Sequence, residues 1–201
     1  MKTDPFTQKL MRKWTPFTVY PLIVIGLLAT TPCHAAERDA YKNKGITFSI
    51  SVRTPEQIRA FYSARGFPEM AIKELESKCL LSVVVLNGRN DIVWLAPSKW
   101  RFVTNKGINV RRLSREEWDD TWAKLNIPLA SRATFGWTQL PESRDLLAGE
   151  TAGGNIVIMP PKEPFSADVL FETGADKHGP TIRFKAKNLQ CVQPSPSGDK
   201  E

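Results

Sequence analysis

The chain has little of what catalysis usually draws on. Its 201 residues include two histidines, His34 and His178, and three cysteines, Cys33, Cys79 and Cys191. No Cys-x-x-Cys pair poises a thiol, no Gly-x-Ser-x-Gly elbow presents a nucleophile, and no Walker-type glycine loop stands ready to cradle a phosphate. His178 sits between Lys177 and Gly179 in a turn-like stretch, so a Ser-His-Asp arrangement has one candidate base and no recognisable partner. Histidine, cysteine and methionine do not cluster, which leaves no ready ligand set for zinc or copper. These absences give the expectation of no catalytic residue, no metal and no cofactor.

Charge is missing from one region. Four of the 28 basic residues (Lys2, Lys9, Arg12, Lys13) and one of the 21 acidic ones (Asp4) lie in residues 1–35, and no charged side chain separates Lys13 from Glu37. The most apolar run, Val19 to Ala29, falls inside that gap. A basic start, a short apolar run and small residues ending at Ala35 make an export signal, cleaved after Ala35. An uncleaved anchor over residues 14–36 is the alternative, long enough for roughly 30 Å of hydrocarbon, although Pro16, Pro21 and Pro32 interrupt it. Lipid attachment at Cys33 fits less well, because Thr30, Thr31 and Pro32 precede it. The expected location is therefore the periplasm, with the inner membrane as the alternative and membrane contact only if the signal stays.

Cleavage removes Cys33 and His34. The remaining pair, Cys79 and Cys191, reads as one disulfide in an oxidising compartment. It spans 191 − 79 = 112 positions, and the chain-entropy model credits a loop of that size with about 5 kcal/mol. Residues 36–201 keep 24 basic against 20 acidic side chains, net +4. That mild excess suits an anionic envelope surface, and export argues against nucleic acid.

Residues 36–193 read as one globular domain and 194–201, PSPSGDKE, as a disordered tail. Glu37 to Gly45 looks like a polar lead-in. Ile46 to Arg53 alternates apolar and polar residues throughout, which predicts a half-buried strand. Thr54-Pro55-Glu56-Gln57 is a helix start with a capping box; Ile58, Phe61 and Tyr62 form its stripe, and Pro68 to Cys79 predicts a second helix. Leu80 to Leu86 and Ile92 to Ala96 suggest a hairpin. Strands follow at Trp100 to Val103 and Gly107 to Leu113. Ser114-Arg115-Glu116-Glu117 starts a third helix with Trp118, Trp122 and Leu125 inward. Further strands are expected at Thr134 to Gln139, Asn155 to Met159, Asp168 to Thr173 and Thr181 to Cys191. The fold class is α+β: mainly antiparallel β, with a sandwich-like, immunoglobulin-like C-terminal part and about three short helices.

Two weak surface constellations emerge. The stretch at residues 132–155, expected to be largely loop, gathers Trp137, Glu142, Asp145 and Glu150, and His178 is added if its turn lies nearby. Paired carboxylates beside an aromatic platform are what a glycosidase uses; the plainer reading is solvated acids paired with Arg132 and Arg144. Gly153 and Gly154 read as positions needing unusual backbone dihedrals. Lys99, Arg101, Lys106, Arg111 and Arg112, interleaved with Trp100 and Phe102, could make a basic face, with the aromatics inward. The leading expectation is a non-enzymatic accessory or protein-binding module whose partner is another envelope protein. The alternative is a small-ligand or metal-binding protein centred on residues 132–155 and His178.

Overall fold

The strand pattern comes first from alternation. In the computed structural model, which describes residues 40–192, Ile46, Phe48 and Ile50 point inward from strand β2 (Ile46–Val52) while Thr47, Ser49 and Ser51 point outward. The expected export signal at 1–35 and the expected tail at 194–201 lie outside the described residues. The segment expected to be a lead-in contains strand β1 (Ala40–Asn43). It pairs with β2 through a two-residue turn in which Lys44 and Gly45 both take positive φ, 44° and 84°, the dihedrals of the hairpin turn that matches strand twist.

After β2 the chain makes helices α1 (Pro55–Ser63) and α2 (Glu69–Glu76). The expected capping box is present: Thr54 accepts from the Gln57 backbone, and Gln57 accepts from the Thr54 backbone. Strand β3 (Cys79–Asn87) then pairs with β2 on one side and with β8 (Thr151–Ile158) on the other. The first sheet runs β1-β2-β3-β8.

The expected hairpin between β3 and the next strand does not form, because the chain changes sheets at Asn87. This residue is fully buried, and its amide nitrogen donates to the carbonyls of Asp91 (2.8 Å) and Leu146 (2.9 Å) while its oxygen accepts from Arg89 N (2.9 Å). A satisfied buried amide can serve as such a corner, whereas an unpaired one would be costly. Strand β4 (Val93–Leu95), a 3-10 turn at Pro97–Lys99, β5 (Arg101–Thr104) and β6 (Asn109–Val110) belong to the second sheet. There β4 and β5 lie end to end along one edge of β9 (Phe165–Thr173), β10 (Ile182–Leu189) covers its other edge, β6 extends β5, and β7 (Arg144–Leu146) extends β4.

The two sheets face each other across one apolar layer of Phe48, Leu81, Val83, Ile156, Phe102, Phe171 and Phe184 among others. The sandwich thus draws on strands from both halves of the described chain. Cys79, the first residue of β3 and not the end of α2, bonds to Cys191 just after β10, Cα to Cα 5.5 Å. The expected disulfide therefore joins the sheets at that end.

A second core forms outside the first sheet. Helices α3 (Arg115–Lys124) and α4 (Leu129–Thr138) join α1 and α2 on the outer face at its Leu80 and Val157 end, burying Ile58, Tyr62, Trp118, Trp122 and Phe135. The described residues hold ten strands and four helices, and no described helix is long and apolar enough to cross a membrane. The fourth helix is a correction: residues 134–139 were expected to be a strand, and residues 132–155 a loop. Instead they hold most of α4, all of β7 and the first part of β8. Thr134, Phe135, Trp137 and Thr138 favour strands locally, but Phe135 packs among Tyr62, Trp118 and Trp122 at ring separations of 5.1–6.1 Å, and tertiary burial wins.

Candidate binding groove beside Trp137

Beyond the edge of the helical layer, the outer face of the first sheet is left open as a groove of about 440 Å³. Its floor is Ser82 and Val84 of β3 with Gly153, Gly154 and Asn155 of β8; α1 contributes Gln57, Ile58, Phe61 and Tyr62, and α4 contributes Trp137 and Thr138. Trp137 is 86 % exposed and Phe61 37 %, so neither is consumed by the core. Phe61 was read from its spacing as part of the buried stripe of α1; it lies at the rim, with Arg65 stacked on its ring at 3.5 Å.

The two glycines of β8 have different reasons for being there. Neither has positive φ, so the expectation of unusual dihedrals was wrong. A Cβ on Gly154 would lie 2.5 Å from Leu140 N and 2.7 Å from Gln139 C, so the backbone of residues 139–140 requires glycine there. A Cβ on Gly153 would meet only Val83 O at 3.6 Å and Val84 Cγ2 at 3.8 Å, ordinary contacts. Packing does not demand glycine at 153, yet the strand leaves its backbone bare at the groove floor. A strand glycine without an internal reason marks a place where something else approaches closely. Gly136, one residue before Trp137, is similar: nothing lies within 4 Å of where its Cβ would be, although glycine inside a helix costs about 1 kcal/mol relative to alanine.

A directed chain of hydrogen bonds lines the floor. Arg53 Nε donates to Ser82 Oγ at 2.8 Å, and Ser82 Oγ donates to Asn155 Oδ1 at 2.8 Å. On α1 the Tyr62 hydroxyl bonds Thr138 Oγ1 at 3.0 Å, and Thr138 donates to Phe135 O at 2.7 Å. A guanidinium only donates and a carbonyl only accepts, so the direction of every hydroxyl between them is set. Burial raises the Tyr62 phenol above its ordinary pKa, with the bonds to Thr138 and Asn155 pulling the other way. The Thr138–Tyr62 bond ties α4, whose N-cap Pro128 supplies no side-chain bond and which buries only Phe135, to α1. Arg115 adds a bond from α3 to Gly136 O at 2.8 Å. Trp137 is thus an exposed ring on a secured support, and it also lines a second cavity of about 450 Å³ between α3 and α4, with Leu129, Arg132 and Gly136.

The residues singled out from sequence do not converge on Trp137. Glu142 clamps Arg112 with two bonds of 2.8 Å. Asp145 lies on β7 opposite Trp94. Glu150 accepts from Leu147 N and pairs with Arg144 at 3.8 Å. His178 is 83 % exposed beside Asp176 at 2.8 Å, which holds the Asp176 carboxyl below its usual pKa. Among the described residues no three His, Cys, Asp or Glu side chains group as metal ligands.

The expected basic face divides in the same way. Lys106 pairs with Glu163, Arg111 with Glu117 and Arg112 with Glu142. Lys99 and Arg101 lie instead on the outer face of the second sheet, where they line a shallow cavity of about 610 Å³ with Arg183 and Lys185. Glu172 bonds Lys99 at 2.7 Å and Asp168 pairs with Lys185 at 3.4 Å. As expected, Trp100 and Phe102 point inward. Trp137 belongs to a surface constellation expected from sequence; Ser82, Asn155 and Gly153 join it through the β3–β8 register, Ser82 opposite Asn155 and Val84 opposite Gly153, and Arg53 through its bond to Ser82.

No protein-family model matches the chain, and no curated protein matches it by sequence. Among solved structures it is similar to a Bacillus subtilis protein described as a lipoprotein (ycdA), at 11 % identity and a TM-score of 0.40, over 75 % of this chain and 39 % of that one. It is also similar to the yjhA protein of Bacillus subtilis, at 11 % identity and a TM-score of 0.42, over 76 % of this chain and 96 % of that one. A DUF4426 family protein of Pseudomonas aeruginosa PAO1 aligns at 10 % identity and a TM-score of 0.37, over 78 % and 97 %. The chain spans about two fifths of the length of the first of these.

Proposed function

We propose that this is an exported binding module whose recognition site is the groove between α1 and Trp137 on the outer face of the first sheet. The observation that carries the reading is Gly153, a bare strand position that packing leaves free, next to an 86 % exposed tryptophan. Binding sites are concave and mostly apolar, with a few fixed polar groups, and the Arg53–Ser82–Asn155 and Tyr62–Thr138 hydrogen bonds supply fixed groups here. Export is supported by the basic and apolar pattern of residues 1–35 and by the Cys79–Cys191 bridge, since disulfides persist in oxidising compartments. The periplasm is the location that suits both.

Native mass spectrometry of the purified domain after incubation with envelope extract tests the reading. An adduct on the wild type that disappears in Gly153→Val, with thermal unfolding not lowered, is the expected result. An adduct of equal abundance on both proteins would remove the groove from consideration.

A second reading has its own observation. Lys99, Arg101, Arg183 and Lys185 on the far sheet outnumber Asp168 and Glu172, which favours an anionic envelope surface as a secondary contact. Sedimentation with anionic vesicles that persists in an Arg101→Glu, Arg183→Glu double variant would dispose of it.

A further inference from the structure

Resting on the groove as the binding site, we infer that its ligand is an uncharged saccharide of at least two rings. The groove lining holds no carboxylate, and its one charged residue, Arg53, donates from Nε to Ser82; in the cavity between α3 and α4 the charges are spent on neighbours, Asp119 pairing with Arg132 at 3.4 Å and Arg115 bonding Gly136 O at 2.8 Å. What the groove offers is a flat indole, the Phe61 ring, a bare backbone at Gly153 and the planar Gln57 amide, beside hydroxyls fixed in direction. A pyranose has complementary parts: an apolar C–H face to lie on an aromatic ring and a rim of hydroxyls for planar donors and acceptors.

A peptide fits less well for a specific reason. Peptides that bind sheets usually add a strand to an open edge. Here both edges of β3 are taken by β2 and β8. The free edge of β8 is covered from Asn155 onward: Leu140 N donates to Asn155 O and Leu113 N to Val157 O, both at 2.9 Å, and Met159 N donates to Arg111 O at 2.9 Å, which leaves only the short run from Thr151 to Gly153 without such a bond among the described residues. An extended peptide across this face would find ladder partners at that short run alone and leave most of its own N–H and C=O groups without them. A saccharide has no such backbone to satisfy.

Trp137 sets the length. It lines the groove on one side and the cavity between α3 and α4 on the other, about 440 and 450 Å³. One ring over Gly153 and another beyond the indole would use both. Gln57 adds a donor: its side-chain oxygen caps α1 from Thr54 N at 3.2 Å, and its amide nitrogen has no partner among the described residues.

The test is titration of the ¹⁵N-labelled domain with cellobiose, maltose, lactose and N,N′-diacetylchitobiose, and separately with a proline-rich peptide, whose backbone needs no ladder. Saturable shifts at Gly153, Ser82 and the Trp137 indole with at least one disaccharide are expected. Trp137→Ala should then weaken binding about tenfold or more, equivalent to about 1.4 kcal/mol, and Gly153→Val should abolish it, neither variant unfolding more readily than the wild type. If no disaccharide shifts these signals, or if only the peptide does, the saccharide assignment fails. The groove itself survives that failure if the envelope adduct is still lost in Gly153→Val; both fall together if it is not.

Discussion

Two adjacent glycines on one strand should respond oppositely to the same methyl group. In Gly154→Ala the new Cβ would be placed 2.5 Å from Leu140 N and 2.7 Å from Leu140 Cα, atoms of backbone that cannot rotate away. The segment must move off β8, straining or breaking the bond from Leu140 N to Asn155 O, 2.9 Å in the native state. Overpacking of this kind costs about 1–3 kcal/mol, and the lost bond adds about 1 kcal/mol. In Gly153→Ala the methyl finds only contacts of 3.6 and 3.8 Å, and removing glycine from a strand interior gains about 0.5–1 kcal/mol. The two variants should therefore differ by roughly 2.5–5 kcal/mol by those figures. Urea unfolding followed by circular dichroism measures this directly if the slopes match. Equal destabilisation by both would show that Gly153 is a packing glycine, and the inference from its bareness would be refuted.

Other outcomes follow from the same geometry. Trp137→Ala should change stability by less than about 0.5 kcal/mol, as surface substitutions usually do, because the ring is 86 % exposed; a larger loss in urea titration would make it a core residue. Reducing Cys79–Cys191 should lower stability by up to about 5 kcal/mol, the entropy released by opening a loop this long, read as a shift of the urea midpoint with and without reductant; no shift would mean the bridge is absent in solution. Tyr62 has its folded pKa raised by burial, so its contribution is complete below the unfolded value of about 10 and is lost as pH rises through the folded one. Tyr62→Phe should flatten the fall in stability above about pH 10, and an unchanged alkaline limb would contradict the burial of that hydroxyl.

What the sequence made legible was local and strongly patterned. The alternation of Ile46 to Val52 gave β2, and the capping boxes at Thr54 and Ser114 gave the starts of α1 and α3, because each signal lies within a few residues of the structure it specifies. The pairing of Cys79 with Cys191 followed from counting. The misses were decisions made by distant residues. Asn87 sends the chain to the other sheet because Asp91 and Leu146 carbonyls receive its amide. Residues 134–138 become helical because Tyr62, Trp118 and Trp122 bury Phe135. The groove was invisible for the same reason: Arg53, Ser82, Gly153 and Trp137 lie on four separate segments, and only strand register and the docking of α4 gather them. Of these, Trp137 alone stood in a surface constellation expected from the sequence.

The central claim is the location of the site, and chemical-shift mapping of the ¹⁵N-labelled domain against an envelope extract addresses it most directly. The account expects perturbed amides at Ser82, Val84, Gly153 and Asn155 together with the Trp137 indole. Shifts confined to Arg101, Arg183 and Lys185, or to Asp145 and His178, would contradict it.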